Sequence, residues 1–311
     1  MAQSREAVTP GGGGQVAAGR RAGVVGALMV LGAASLWASL GVFGRVLYRV
    51  GLTPLELASV RTSIGFLGLA VWMARSPGAV RIAWRDVPFF AVYGAICMAL
   101  FAFLYFSTIG RTTVSVAVAL LYTAPAFVVV LARAIYGEPL DRGRLGALAL
   151  VLAGVFLVTG ALHAVTTGQA VVSGAALVFG LGSGLTYALY TILGKWALRK
   201  YDAVCTVFWV LGFGALVLAV AAPPWTPMLR HPGAIPTMLA LGIFPTLVAY
   251  LLYVASLRRL SAGTASMLAT AEPVIATLLG SLLLDEALTA PQALGIALIV
   301  AAALLLARAQ R

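Results

Sequence analysis

Residues 105–140 read YFSTIGRTTVSVAVALLYTAPAFVVVLARAIYGEPL, and residues 253–288 read YVASLRRLSAGTASMLATAEPVIATLLGSLLLDEAL. The second stretch repeats the first in register. Tyr105 matches Tyr253, Thr108 matches Ser256, Arg111 matches Arg259, Ala117 matches Ala265, Pro125 matches Pro273 and Glu138 matches Glu286, all at an offset of 148 residues. Working outward, Gly26 and Ser35 stand at the same distance from Gly174 and Ser183, and Gly44-Arg45 answers Gly194-Lys195 with a shift of two. The chain is a duplication. Repeats of this size in an apolar protein point to secondary transport, with a substrate site between the halves near the bilayer midplane.

Composition sets the class. Hydrophobic residues are 62% of the chain and charged residues 10%, against roughly 45–50% and about 25% in soluble domains. A spanning helix needs about 20 apolar residues, and such stretches fall at roughly 23–44, 55–74, 87–108, 112–136, 145–164, 170–194, 203–222, 235–257, 262–284 and 290–308. Five belong to each copy. An odd number forces the second copy to enter the membrane from the opposite side. The prediction is an all-α membrane protein with ten transmembrane helices in two inverted five-helix repeats around a central cavity. Residues 1–22 are expected as a disordered cytoplasmic tail, 23–164 as the first repeat and 170–308 as the second.

Charge placement agrees with that topology. Arg and Lys residues cluster on alternate loops, as Arg20-Arg21, Arg75 to Arg85, Arg133 to Arg144, Lys195 to Lys200, Arg258-Arg259 and Arg308 to Arg311, whereas Arg45, Arg49, Arg111 and Arg230 fall on the other side. The positive-inside rule then puts both termini in the cytoplasm of a multi-pass protein of the cell inner (plasma) membrane. The formal net charge of +12 is spread over separate loops rather than along one face, which argues against nucleic acid.

Pro125 and Pro273 fall mid-span, each removing a backbone donor and clashing with the carbonyl four residues earlier, so helices four and nine are expected to kink there as hinges. Asp141 and Thr289 stand where helices five and ten begin. Thr289 forms a capping box with Gln292, and Glu138 and Glu286 read as loop-ordering groups in the preceding turns.

Two five-helix halves, a proline-bearing fourth helix, Gly-Glu-Pro-Leu at 137–140 answered by Asp-Glu-Ala-Leu at 285–288, and the early glycines Gly146 and Gly295 resemble the EamA-type transporters of the drug/metabolite transporter superfamily. The resemblance covers nearly the whole chain. It implies an alternating-access carrier with helices one, three, four, six, eight and nine around a central cavity. Size and aromatic content are most similar to the YddG-like exporters of amino acids and related metabolites.

The candidate cavity is polar and aromatic. Helix six places Ser183, Tyr187 and Tyr190 on one face. Helix one adds Trp37 and Ser39, helix three Tyr105, helix four Tyr122, helix eight Tyr250, and helix nine Ser266 and Thr270. Apolar walls with a few convergent hydroxyls suit an amphipathic solute, although tyrosine near a span end also serves as an interface anchor. Glu272 lies within the ninth span just before Pro273, and its counterpart is Ala124, so symmetry does not require it. An intramembrane carboxylate points to function, because a charge there costs at least about 2.5–3.5 kcal/mol. Three readings stay open for it: a proton-coupling site, a partner for a substrate's amino group, or a brace for groups freed by Pro273. Arg61, a short way into its span, is expected to snorkel outward.

Other chemistry is poorly supplied. His163 and His231 both sit near loops, so no metal or acid/base set is expected. Gly194-Lys195 lacks the rest of a Walker A loop. No cofactor and no enzymatic activity are expected; the partners are a small-molecule substrate and the lipid bilayer, with a monomer as the working state. The reading is a secondary or facilitative carrier exporting amino acids and related small metabolites; the alternative is a proton-coupled multidrug or cationic-compound efflux antiporter.

Overall fold

A computed structural model describes residues 12–169, 172–284 and 288–309. These group into helical columns. α1 runs Gly12–Ala38 and continues as Leu40–Arg49; α2 is Pro54–Met73; α3 joins Val87–Gly94, Ala95–Leu100 and Phe101–Ile109; α4 joins Val114–Leu121 and Ala124–Tyr136; α5 is Arg142–Val158. In the second half α6 is Gly174–Ala197 and α7 is Ala203–Ala221; α8 joins Ile235–Gly242, Ile243–Val248 and Ala249–Ser256; α9 joins Ala262–Ala269 and Ala271–Leu284; α10 is Ala290–Ala309.

Eight of these, α1 to α4 and α6 to α9, contain helices long and apolar enough to cross a membrane. The fifth and tenth expected spans are α5, of 17 residues, and α10, whose apolar stretch is shorter than the others. They pack on each other at backbone contact: a Cβ on Gly154 would lie 2.8 Å from the Gly295 carbonyl oxygen, and one on Gly295 2.6 Å from that of Gly154. At the N-terminus the expected tail is corrected. Residues 12–22 continue α1, because Gln15, Ala17, Ala18, Arg20 and Arg21 favour helix and the apolar run behind them supplies the nucleus. The rest of the expected tail, and Glu286 with its turn, lie outside the described residues.

The duplication reappears as paired irregularities. π-helical turns occupy 95–100 in α3 and 243–248 in α8, each after a glycine, Gly94 and Gly242. Those glycines let columns from different halves meet. A Cβ on Gly94 would sit 2.8 Å from the Gly214 nitrogen of α7, and one on Gly242 2.4 Å from the Ile64 Cβ of α2. α1 packs on α8 and α9, while α6 packs on α3 and α4. First helix of one copy against third and fourth of the other is therefore obeyed in both directions.

α4 and α9 are interrupted at matching positions, Tyr122-Thr123 and Thr270. The expected proline kink is corrected to a break: the helix ends before each proline and restarts with it in the first turn, where a missing N–H is harmless. The carbonyl before each interruption accepts twice from the following threonine, through its amide and its hydroxyl. Thr123 Oγ1 donates to Leu120 O at 2.7 Å and Thr270 Oγ1 to Met267 O at 2.5 Å, as an apolar medium demands.

Candidate functional site

The break in α9 puts Glu272 in the first turn of the restarted segment. A carboxylate in a first turn complements the positive end of the helix dipole. Side chains from several columns surround it: Tyr105 of α3, Tyr122 of α4, Tyr187 of α6 and Tyr250 of α8. Tyr122 lies immediately against the carboxyl group. Glu272 is nevertheless only half-buried. A group ringed by that many helices and still accessible lines an internal cleft.

Arg61 of α2 faces the same cleft, so the expectation that it snorkels outward is corrected. Its guanidinium lies near the Tyr250 hydroxyl and close enough to Tyr48, Tyr105 and Glu272 for its charge to act on them. Snorkelling fails because Arg61 sits on the inward side of α2, between the buried residues Val60 and Thr62, where interior tyrosines solvate the charge. The signal was legible. An arginine inside a span warrants the same suspicion as a glutamate there, and Arg61 brings α2 beside the columns expected around the cavity.

The aromatic candidates converge. Trp37 meets Tyr253, Tyr250 and Tyr187 with ring centroids 5.3, 5.7 and 6.3 Å away, and Tyr190 meets Tyr250 at 5.2 Å. Tyr105 stacks on Phe101, which lies 6.3 Å from Tyr187. Two hydroxyls in this region have no partner, Tyr187 Oη and Ser266 Oγ; a buried polar atom left so is unusual. Other candidates do not present free groups. Ser39 Oγ donates to Leu36 O at 2.6 Å and Ser183 Oγ to Gly180 O at 2.7 Å, while Thr270 is bonded at the break in α9. Pro125 and Pro273 mark the two breaks rather than contact groups.

Three tyrosine hydroxyls tie the columns together. Tyr93 Oη donates to Tyr190 O at 2.7 Å, Tyr136 Oη to Ile192 O at 2.6 Å, and Tyr253 Oη pairs with Thr191 Oγ1 at 2.7 Å. Columns α3, α4 and α8 are thus tied to the last turns of α6. Beyond them Glu138, in the turn after α4, bridges the two halves. Its carboxylate accepts from the Ala262 and Gly263 amides at 2.8 and 3.3 Å, capping α9, and from Lys195 Nζ at 3.0 Å. Burial pushes its pKa up, but the two amides and the Lys195 ammonium outweigh that and hold it below the usual carboxylate value.

A separate groove of about 480 Å³ runs along the outside of α2 and α7, among Phe66, Phe208, Trp209, Phe213 and Trp225. It has no charged lining residue and no part in this cluster.

The model of the EamA-like transporter family matches residues 24–160 and again residues 174–308. The chain belongs to this family. An uncharacterized transporter of Archaeoglobus fulgidus is 30% identical over 272 residues, covering 88% of this chain and 92% of that protein. The threonine/homoserine exporter RhtA of Escherichia coli (strain K12) is 29% identical over 206 residues, 65% of each chain. A solved crystal structure that is 21% identical aligns with a TM-score of 0.74 over 93% of this chain and 98% of its own, which speaks for the shared fold. The protein is therefore a multi-pass membrane transporter of the EamA-like family.

Proposed function

We propose that this EamA-like protein carries amino acids and related small metabolites out of the cell by alternating access. In this reading α5 and α10 also cross the membrane, the repeats 23–164 and 170–308 are inverted about an axis in the membrane plane, and both termini are cytoplasmic. The observation that carries the proposal is an interior cleft with aromatic walls, one cation and one carboxylate, Arg61 and Glu272, contributed by opposite halves. A solute that bridges the halves can bias their relative rocking. Similarity to a threonine/homoserine exporter supports the substrate class.

The competing reading, a proton-coupled efflux antiporter for cationic compounds, draws on Glu272 among aromatic rings. Arg61 weighs against it, because a cation in the cleft would meet a like charge in a poorly screened space. Counterflow in proteoliposomes, with a panel of amino acids against a cationic dye, tests the choice. Exchange of at least one amino acid with no exchange of the dye is expected; the reverse would favour the antiporter.

A further inference from the structure

We infer that Arg61 and Glu272 read the two ends of a zwitterion, Arg61 receiving the substrate's α-carboxylate and Glu272 its α-ammonium, with the free Tyr187 hydroxyl as a third contact. This rests on the reading of the chain as an amino-acid carrier and adds the recognition chemistry.

The argument starts from what the two charges do not do. Arg61 and Glu272 are neighbours of opposite sign, yet they are not among the ion pairs of the described residues, where nitrogen and oxygen lie within 4.0 Å. A tyrosine stands beside each, Tyr250 beside Arg61 and Tyr122 beside Glu272. Two opposite charges kept apart across an accessible cleft leave room for a molecule with opposite charges of its own. An α-amino acid carries a carboxylate and an ammonium on one carbon, which is the complementary pattern. The guanidinium suits a carboxylate, for which it offers a planar fork of donors. A carboxylate at a helix N-terminus accepts from an ammonium, whose opposite charge beside it favours the ionised form.

The same geometry sets specificity. Between Arg61 and Glu272 the cleft is balanced, so a zwitterion leaves no charge unpaired. A cation would satisfy Glu272 and face Arg61, and an anion would do the opposite; a site that leaves one buried charge unmatched discriminates strongly. Tyr187 Oη, unpartnered and beside both Trp37 and Glu272, has a hydrogen bond to offer whichever end lies nearer. The Trp37, Tyr190 and Tyr250 rings are left to pack on the substrate side chain.

The test uses the full chain in proteoliposomes and the neutral L-amino acid that exchanges fastest in the panel. Its amide, which lacks the carboxylate, and its N-acetyl form, which lacks the ammonium, are then offered as competitors. In the parent both are expected to compete at least tenfold less well than the amino acid. Arg61→Gln is expected to lose amino-acid exchange at least tenfold while gaining exchange of the cationic amide. Glu272→Gln is expected to gain exchange of the N-acetyl anion. A gained activity cannot come from misfolding, and if a variant fails to fold the parental competition alone decides. Equal competition by all three compounds, or folded variants that gain nothing, would overturn the inference while amino-acid transport stood. A parent that exchanges the dye and no amino acid would instead remove the functional reading.

Discussion

Tyr187 carries a buried hydroxyl with no partner, so the protein gains nothing from it in the substrate-free state. Removing such a group leaves stability unchanged or raises it by about 1 kcal/mol, because no hydrogen bond is lost and a desolvated donor is relieved. Tyr187→Phe is therefore expected to melt at or slightly above the parental temperature while its KM for counterflow rises about tenfold. A parental KM would place Tyr187 outside the site. Trp84, 85% exposed, serves as control, and its alanine variant should transport like the parent. Glu138 behaves oppositely, being fully used. Its pKa is held below the usual carboxylate value, so it adds stability above that usual value and loses it as pH falls through the lowered one. Glu138→Gln should cost about 1.5–3 kcal/mol at neutral pH, the range for hydrogen bonds to a charged group, and should flatten the acid limb of a plot of melting temperature against pH. An unchanged acid limb would refute the assignment. At this scale sequence reading singled out Glu272 and the aromatic set as candidates and gave Glu138 a loop-ordering role. It misjudged Arg61, because the inward side of a span that is apolar all round cannot be read from periodicity, and it could not see that Glu138 reaches across to α9 and Lys195, since such contacts depend on how the halves pack.

The helical columns were legible to within a few residues at most of their ends, since hydropathy alone marks where backbone must be satisfied internally. Their interruptions were legible in place but not in form. Pro125 and Pro273 announced a disturbance; whether a helix bends or breaks depends on what the carbonyls before it can accept from, and here Thr123 and Thr270 donate to them. The π-helical turns at 95–100 and 243–248 left no mark in the sequence beyond their leading glycines. Two expectations follow for the columns. Pro125→Ala and Pro273→Ala restore a backbone donor and favour a continuous helix, so both should slow counterflow several-fold with little loss of inserted protein; parental rates in both would rule out the breaks as moving parts. Gly154→Val adds a side chain where even a Cβ would lie 2.7 Å from Ile299 Cγ1. Overpacking of this kind typically costs about 1–3 kcal/mol, and the melting temperature should fall accordingly.

Across the whole molecule the two halves exchange equivalent contacts, α1 with α8 and α9, α6 with α3 and α4, yet the cleft between them holds one unlike pair of charges. Architecture is shared and chemistry is not: Ala124 stands where Glu272 would be, and Arg61 answers no cation at the matching place, Trp209. A carrier driven by protons needs a carboxyl that alternates between loading substrate and loading a proton. Here Arg61 and Glu272 carry opposite charges, so the chamber has no net charge when both are ionised, and a zwitterion adds none when it binds. Both features describe an exchanger or facilitator. The parent protein is therefore expected to catalyse counterflow of an amino acid but not to concentrate it when a pH gradient is the only driving force. Glu272→Gln separates the roles of this carboxyl. As a substrate partner its loss lowers exchange and net flux together, since every binding event uses it, whereas a pure proton carrier would keep exchange and lose only gradient-driven accumulation. Concentration of substrate by the parent under an imposed pH gradient, abolished in Glu272→Gln with exchange intact, would show that protons drive this transporter after all.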